Sequence, residues 1–190
     1  MNAHKAMTAA PTFRNGVDVA ALHGTVEAIK ADAALARFQF RSTNAWMGGS
    51  RNQSTIKGFL GAGQEDATRT APFVLSADEP KILLGQDRAP NPMEITLHAL
   101  AACMTTTLAF QAAAQGIDIE SIDSRLDGDV DLRAFLHLAP GMRTGFHRIR
   151  VTMRVRSDAP AETLMELAQF SPTYDVVSNS VPVDLVIEKA

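Results

Sequence analysis

The pattern of apolar and polar positions changes from helical to extended and back along the chain. Residues 1–16 form a polar leader that ends at Asn15-Gly16. Apolar residues spaced three or four apart then predict a helix over residues 17–34. Its apolar face is narrow, so we expect this helix to pack on the surface of the protein or on a partner chain. The expected organisation is a leader and helix over residues 1–36, followed by one domain over residues 37–190.

A second region, from residue 37 to residue 84, alternates in short runs that are typical of strands. Phe38 and Phe40 alternate with polar neighbours, and Gly48-Gly49 marks a turn before a further extended run. Residues 73–75 and 82–84 are short strand candidates. The pattern predicts a small antiparallel meander.

A long, nearly uncharged helix follows this meander. Asn91 is a suitable N-cap and Pro92 suits the first helical position. Residues 95–114 carry no formal charge over a length that could span a membrane. The segment is rich in Ala and Thr, however, whereas spanning helices are richer in Leu, Ile and Val and have basic residues beside one end. We therefore expect a core helix of a soluble protein.

The clearest strands lie in the second half of the chain. Residues 122–132 have one acidic face, and residues 148–156 have one basic face. The simplest interpretation is an antiparallel pair whose opposite charges meet across the solvent face. The alternative, an arginine stripe that binds nucleic acid, is disfavoured because the aspartates neutralise it. Helices are predicted over residues 161–170 and 174–179, and a final strand over residues 181–187.

Composition narrows the function classes. The 190 residues are 46% hydrophobic with a net charge of −3, so no global charge attracts nucleic acid. One cysteine excludes an internal disulfide and any CxxC motif, and it suits a reducing cytoplasm. Residues 1–13 lack the apolar run of a signal peptide. We expect a cytoplasmic protein without a cofactor, a metal, a membrane anchor or a nucleic-acid partner.

Any cysteine chemistry must use Cys103, the only cysteine in the chain. A cysteine inside an apolar helix is usually inert, because burial raises the pKa of its thiol. Activation would need a cation or a network of hydrogen-bond donors. His98 is a poor base for Cys103, since five residues separate their side chains by roughly 140° around the helix. Glu94 and His98 lie one turn apart, which allows either a surface hydrogen bond or a histidine oriented by a carboxylate.

Residues 89–103 resemble the signature of the OsmC/Ohr family, the osmotically inducible and organic hydroperoxide resistance proteins. An Asn-Pro turn and a carboxylate precede an Ala-rich helix that reaches Cys103. The order of elements and Val181-Pro182-Val183 near the C-terminal end are also similar to the family. The resemblance implies an α+β, OsmC-like two-layer fold, with antiparallel sheets wrapped around long central helices in an intertwined homodimer. It also implies active sites at the subunit interface.

The resemblance assigns candidate site residues. Cys103 matches the peroxidatic cysteine. Arg51 matches the arginine that activates the thiolate, and Arg41 and Arg88 are the alternatives.

Two positions depart from the peroxidases of the family. Ser171 stands where a second, resolving cysteine is expected, and a serine cannot form a disulfide. Met93 stands where the peroxidases have a glutamate, and Glu94 follows one residue later. Glu94, His98 and Ser171 are therefore secondary site candidates.

Two functions follow from these residues. The first is a thiol-dependent, single-cysteine reductase of organic hydroperoxides, which would protect against oxidative stress and need an external thiol as reductant. The alternative is a non-peroxidase dimer that binds a small apolar ligand at the subunit interface, with Cys103 as a packing residue or a slow redox sensor.

Overall fold

The computed structural model describes residues 13–189 and contains helices and antiparallel sheets, so the predicted α+β class is confirmed. Contacts divide the chain into two compact units, Met1–Thr96 and Leu97–Ala190. Most of the leader lies outside the described residues. The expected organisation into residues 1–36 and 37–190 stays a prediction.

The N-terminal helix begins two residues later than predicted. Strands β1 (Phe13–Arg14) and β2 (Val17–Asp18) form a hairpin, so residue 17 lies in a strand. Helix α1 (Val19–Ala31) starts after Asp18, whose side chain accepts the N–H of Ala21 at 3.0 Å. Asp18 thus caps the helix and fixes its start. None of the side chains of α1 is buried, in keeping with its narrow apolar face.

The six strands that follow form two antiparallel sheets rather than a single meander. In chain order they are β3 (Gln39–Phe40), β4 (Thr43–Trp46), β5 (Asn52–Ile56), β6 (Phe59–Gly61), β7 (Gln64–Asp66) and β8 (Phe73–Ala77). One sheet has the order β3-β6-β7 and the other β4-β5-β8. The predicted antiparallel pairing is confirmed, but β5 and β6 each become the centre of a different sheet.

The strand predicted over residues 82–84 is wrong. Lys81–Leu83 is one turn of 3-10 helix, and Leu84 has a left-handed backbone with φ of 65°. The N–H groups of Leu83 and Leu84 donate to the carbonyls of Pro80 and Lys81, at 2.8 and 3.0 Å, and so are not available to a sheet. Asp78, a buried carboxylate, holds the backbone on both sides of this turn. Its oxygens accept the hydroxyl of Ser50 at 2.6 Å and the backbone N–H groups of Glu79, Gln86 and Arg88 at 2.9, 3.2 and 3.2 Å.

The long helix α2 (Pro92–Ala114) starts where the sequence predicts. Asn91 and Glu94 form a reciprocal cap: each side chain accepts the backbone N–H of the other at 2.8 Å. Gly116, with φ of 76°, follows its C-terminal end. With a mean hydropathy of 1.3 over 18 residues, α2 also meets the length and composition of a spanning helix, a test that core helices pass too.

The charged strand pair is confirmed, although its first strand ends at Asp129 and not at residue 132, where a short helix begins. Strands β9 (Ser121–Asp129) and β10 (Arg148–Arg156) pair antiparallel along all nine residues. Arg150 lies opposite Asp127, and its guanidinium contacts the carboxylate of Asp129 at 2.6 Å. Three of the four arginines of β10 therefore lie opposite aspartates, as the alternation predicts, and Arg156 lies opposite Ser121 and contacts Glu120.

The second unit also contains α3 (Leu132–Phe135), α4 (Ala161–Gln169) and α5 (Pro172–Ser178). Its core joins one face of α2 to the predicted buried side of α4, over the apolar face of β10. The core residues are Leu100, Met104, Leu108, Ala112, Leu164, Leu167 and Ala168.

The final strand predicted over residues 181–187 is wrong. This segment has no regular secondary structure, and its large apolar side chains are 50–82% exposed. Alternation alone does not make a strand, because each strand needs a neighbour for its hydrogen bonds. Pro182 also lacks the N–H that a ladder would use.

Candidate functional site

Cys103 lies at the rim of the second unit's core. It is in the middle of α2, and its side chain is half-buried. The next residue, Met104, is buried in the core, and consecutive helical side chains diverge by about 100°. Cys103 therefore lies beside the packed face of α2 rather than within it.

Ser171 occupies the junction between α4 and α5. It is the N-cap of α5: its Oγ accepts the N–H of Tyr174 at 3.2 Å, and Pro172 takes the first helical position. Its own N–H donates to the carbonyl of Ala168 at 3.2 Å. The residue is 1% exposed, so its hydroxyl hydrogen needs a partner inside the protein.

The lowered pKa of the Cys103 thiol indicates that this partner is its sulfur. Burial raises the pKa of the Cys103 thiol, but hydrogen bonds from three hydroxyl side chains and one backbone N–H outweigh it, so the pKa lies below its ordinary value. The hydroxyls belong to Ser171, Thr173 and Thr107, which we call the hydroxyl cage, and the N–H belongs to Thr173. The cage favours the thiolate, the form of cysteine that acts as a nucleophile.

The sequence identified one member of this cage and missed two. Ser171 was a secondary candidate, and the structure brings it together with Cys103. Thr107 lies one helical turn after Cys103, a spacing that places two side chains on one face and could have identified it. Thr173 follows Ser171 by two residues, but no sequence pattern indicates that its N–H points at a sulfur.

Arg51, the matched arginine, lies in the first unit, in the turn between β4 and β5. Gly48 and Gly49 both have positive φ, 91° and 63°, as this turn requires. The guanidinium of Arg51 donates to the carbonyl of Met47 at 2.9 Å, and Ser50 joins the turn to Asp78. The turn thus holds the arginine in a defined place, while its role stays a prediction.

The alternative arginines have other partners. Arg41 forms a two-pronged ion pair with Glu65, at 2.7 and 2.9 Å, and this pair lowers the pKa of Glu65. The backbone N–H of Arg88 donates to Asp78. The guanidinium of Arg41 is therefore already paired with Glu65 at the protein surface.

The remaining candidates lie at the start of α2. The carboxylate of Glu94 caps this helix through Asn91, which accounts for an acidic residue at that position. His98 is exposed, and Met93 is half-buried in the first turn.

The comparisons with known proteins agree on one family. The family model of OsmC-like proteins matches residues 85–187, more than half of the chain. No curated protein matches significantly. An OsmC-like protein from Mycoplasma pneumoniae is similar in structure, with a TM-score of 0.56 and 16% identity over 75% of this chain and 89% of that one.

Two further solved structures are similar. An OsmC-like protein of unknown function from Vibrio cholerae has a TM-score of 0.51 and 14% identity, and the match covers 75% of this chain and 93% of that one. An organic hydroperoxide resistance protein from Legionella pneumophila has a TM-score of 0.47 and 18% identity, covering 73% and 89%.

The matched residues include the whole second unit up to residue 187, with Cys103 and its hydroxyl cage. The Mycoplasma and Vibrio structures show the same fold. The cysteine helix, the paired strands that follow it and the family match lead to one conclusion: this chain belongs to the family of OsmC-like proteins.

Proposed function

We propose that the protein is a single-cysteine thiol peroxidase that reduces organic hydroperoxides. One observation carries this proposal: the hydroxyl cage lowers the pKa of Cys103, although burial alone would raise it. A thiolate at neutral pH is what nucleophilic attack on a peroxide requires. Membership of the OsmC-like family supports the same chemistry.

The first step is attack by the Cys103 thiolate on the terminal, hydrogen-bearing oxygen of the hydroperoxide. The O–O bond breaks, its electron pair leaves with the other oxygen as alkoxide, and a proton converts the alkoxide into an alcohol. Cys103 becomes a sulfenic acid, so its sulfur is oxidised while the peroxide is reduced. The cage hydroxyls would donate to the sulfur before the attack and to the sulfenate oxygen after it.

The second step needs an external thiol. The chain has no second cysteine, and Ser171 cannot supply a sulfur. A small thiol or a reduced protein dithiol would attack the sulfenic acid, forming a mixed disulfide with Cys103 and releasing water. A second thiol then regenerates the Cys103 thiol and leaves as the disulfide of the reductant.

Arg51 is the proposed cation for this thiolate, since a positive charge near a thiol lowers its pKa. The test compares Arg51→Gln with Arg41→Gln, which removes a guanidinium from an exposed ion pair. We expect Arg51→Gln to slow alkylation of Cys103 at pH 7 by about tenfold, or one pKa unit, and Arg41→Gln to leave it unchanged. Equal rates of Cys103 alkylation in both variants would show that Arg51 does not lower the pKa of this thiol.

We also propose that the chain forms a homodimer in the cytoplasm. Several side chains in a row along α2 are exposed in the single chain although the helix is almost uncharged. They are His98, Ala102, Thr106 and Phe110. An apolar helix is normally covered on all sides. Light scattering should give twice the 20.4 kDa chain mass, and a monomer at micromolar concentration would contradict the proposal.

Sulfenic-acid trapping tests the peroxidase directly. Wild-type protein is treated with cumene hydroperoxide and a dimedone-type probe. The matched control is Cys103→Ser combined with Ser178→Cys, which keeps one thiol at an exposed position of α5, outside the proposed dimer face. We expect stoichiometric labelling of the wild type and little labelling of the control. Equal labelling, or none in the wild type, would overturn the proposal; the absence of labelling would favour the non-peroxidase alternative.

A further inference from the structure

A second feature of the Leu97–Ala190 unit is a cavity of about 430 Å³ between α2, β10, α4 and the start of α5. Its lining includes Met104 and Leu108 of α2, Met153 of β10, and Leu164 and Ala168 of α4. The cavity is partly open to solvent, and Met165, which is 58% exposed, lies at its open side. A space of this size is within the range of ligand pockets.

The cavity has a distinct chemical character. Three of the eight methionines of the chain, Met104, Met153 and Met165, line it, and none of the described lining residues carries a formal charge. Methionine is flexible and polarizable, so methionine-lined surfaces adapt to apolar ligands of different shapes. Gln169 and Tyr174 add an amide and a phenol at one side.

The volume limits the size of the ligand. A dry apolar cavity of about 150 Å³ in another protein holds one benzene molecule. A cavity of about 430 Å³ is nearly three times larger, which is enough for a chain of roughly ten carbon atoms. A charged group would lose its hydration without gaining a counter-charge, so an ionised ligand is disfavoured.

We propose that this cavity binds an uncharged medium-length aliphatic molecule with a small polar head. Its chain lies against the three methionines, and its head bonds to Gln169 or Tyr174. This site is additional to the proposed chemistry, because Cys103, Ser171 and Thr173 are not among the residues that line it. It nevertheless adjoins the cage, since Met104 follows Cys103 and Tyr174 follows Thr173.

The test uses full-length Cys103→Ser protein, so that its result does not depend on peroxidase activity. The protein carries ¹³C-labelled methionine methyl groups and is titrated with 1-octanol by NMR. We expect saturable shifts of the Met104, Met153 and Met165 methyls, and none at Met93 or Met142. 1-Butanol and octanoate should each bind at least tenfold more weakly than 1-octanol.

Two variants fill the cavity, and one is a matched control. Ala168→Leu adds carbon atoms at a buried wall, and Met165→Trp adds bulk at a position that is 58% exposed and so tolerates change. Val176→Trp places the same indole at a position that is 53% exposed and outside the cavity lining. We expect at least tenfold weaker octanol binding in both filling variants and wild-type binding in Val176→Trp.

Several results would overturn the proposal. They are shifts without saturation, equal shifts at all methionines, octanoate binding as tight as that of octanol, or wild-type affinity in a folded filling variant. If Ala168→Leu does not fold, Met165→Trp alone decides, because its side chain reaches the cavity from the solvent side.

Discussion

Asp78 in the first unit and Cys103 in the second accept hydrogen bonds from the same kinds of donor, hydroxyl groups and backbone N–H groups. Asp78 receives one serine hydroxyl and three backbone N–H groups. Cys103 receives three hydroxyls and one backbone N–H. In both, the hydrogen bonds hold the pKa below its ordinary value. Neither of these donor sets includes a cationic side chain.

The two sites differ in exposure and in what the acceptor can do. Asp78 is 1% exposed, and its donors are three backbone N–H groups of the loop that it closes and Ser50 of the turn between β4 and β5. Its charge therefore fixes both segments. Cys103 is half-buried, and its donors come from helix α2, from the junction before α5 and from the first turn of α5. The same kinds of donor therefore stabilise two different anions. Buried Asp78 fixes the backbone around it, whereas Cys103, which is accessible to solvent, is a candidate nucleophile.

Asp78→Asn tests the structural half of this comparison and should have the largest effect. The hydroxyl and N–H donors would face an amide that is neutral and itself a donor. We expect the midpoint of thermal unfolding at pH 7 to fall by on the order of 5 °C. Asp184→Asn, at an exposed position, should leave it unchanged.

The pH dependence of this effect has a definite sign. The folded state holds the pKa of Asp78 below its ordinary value, chiefly through the Ser50 hydroxyl. Its stabilising contribution is therefore complete above the ordinary carboxyl pKa and is lost as the pH falls through the lowered one. The difference in unfolding midpoint between wild type and Asp78→Asn should therefore disappear in acid. A constant difference from pH 7 to pH 3 would contradict the structural role of Asp78.

Ser171→Ala tests the Cys103 side of the comparison. Removing the hydroxyl takes away a donor to the sulfur while the burial that raises the pKa of Cys103 remains. Alkylation of Cys103 at pH 7 should slow several-fold, and Ser171→Thr should restore it. Loss of the N-cap should also lower the free energy of unfolding by about 1 kcal/mol. A destabilised protein with an unchanged alkylation rate would leave Ser171 as a cap alone.

Thr107→Val should have the smallest effect. Valine keeps the shape of threonine but removes one of the weaker contributions to the Cys103 pKa. We expect alkylation at pH 7 to slow about twofold. Thr152→Val makes the same change at an exposed position of β10, outside the proposed dimer face, and serves as the control. Equal rates in the two variants would show that Thr107 does not contact the thiol in solution.

Local signals predicted much of the fold. The Asn91 cap, the long helix after it and the charge-matched strands follow from spacing and alternation, because each depends on neighbours along the chain or across one pair. The failures depend on distant groups. Residues 82–84 are an apolar run typical of a strand, but Asp78 holds the backbone on either side of them, and the N–H groups of Leu83 and Leu84 bond within a turn. Residues 181–187 alternate but have no adjacent strand.

The candidate site shows the same limit. Cys103 was evident as the only cysteine, and Ser171 was identified through a family resemblance. No pattern within α2 predicts that the sulfur meets donors some seventy residues later in the chain. The expectation that an apolar helix makes Cys103 inert takes account of burial, which raises the pKa of the thiol. It does not take account of the hydrogen bonds, which lower it.

The most direct test of the central claim is the pH profile of Cys103 alkylation by iodoacetamide in the wild-type protein. The hydroxyl cage predicts an inflection below about pH 8.5, the value of an ordinary thiol. Ser171→Ala should move this inflection upward. A wild-type inflection at or above pH 8.5 that does not move in Ser171→Ala would contradict the account.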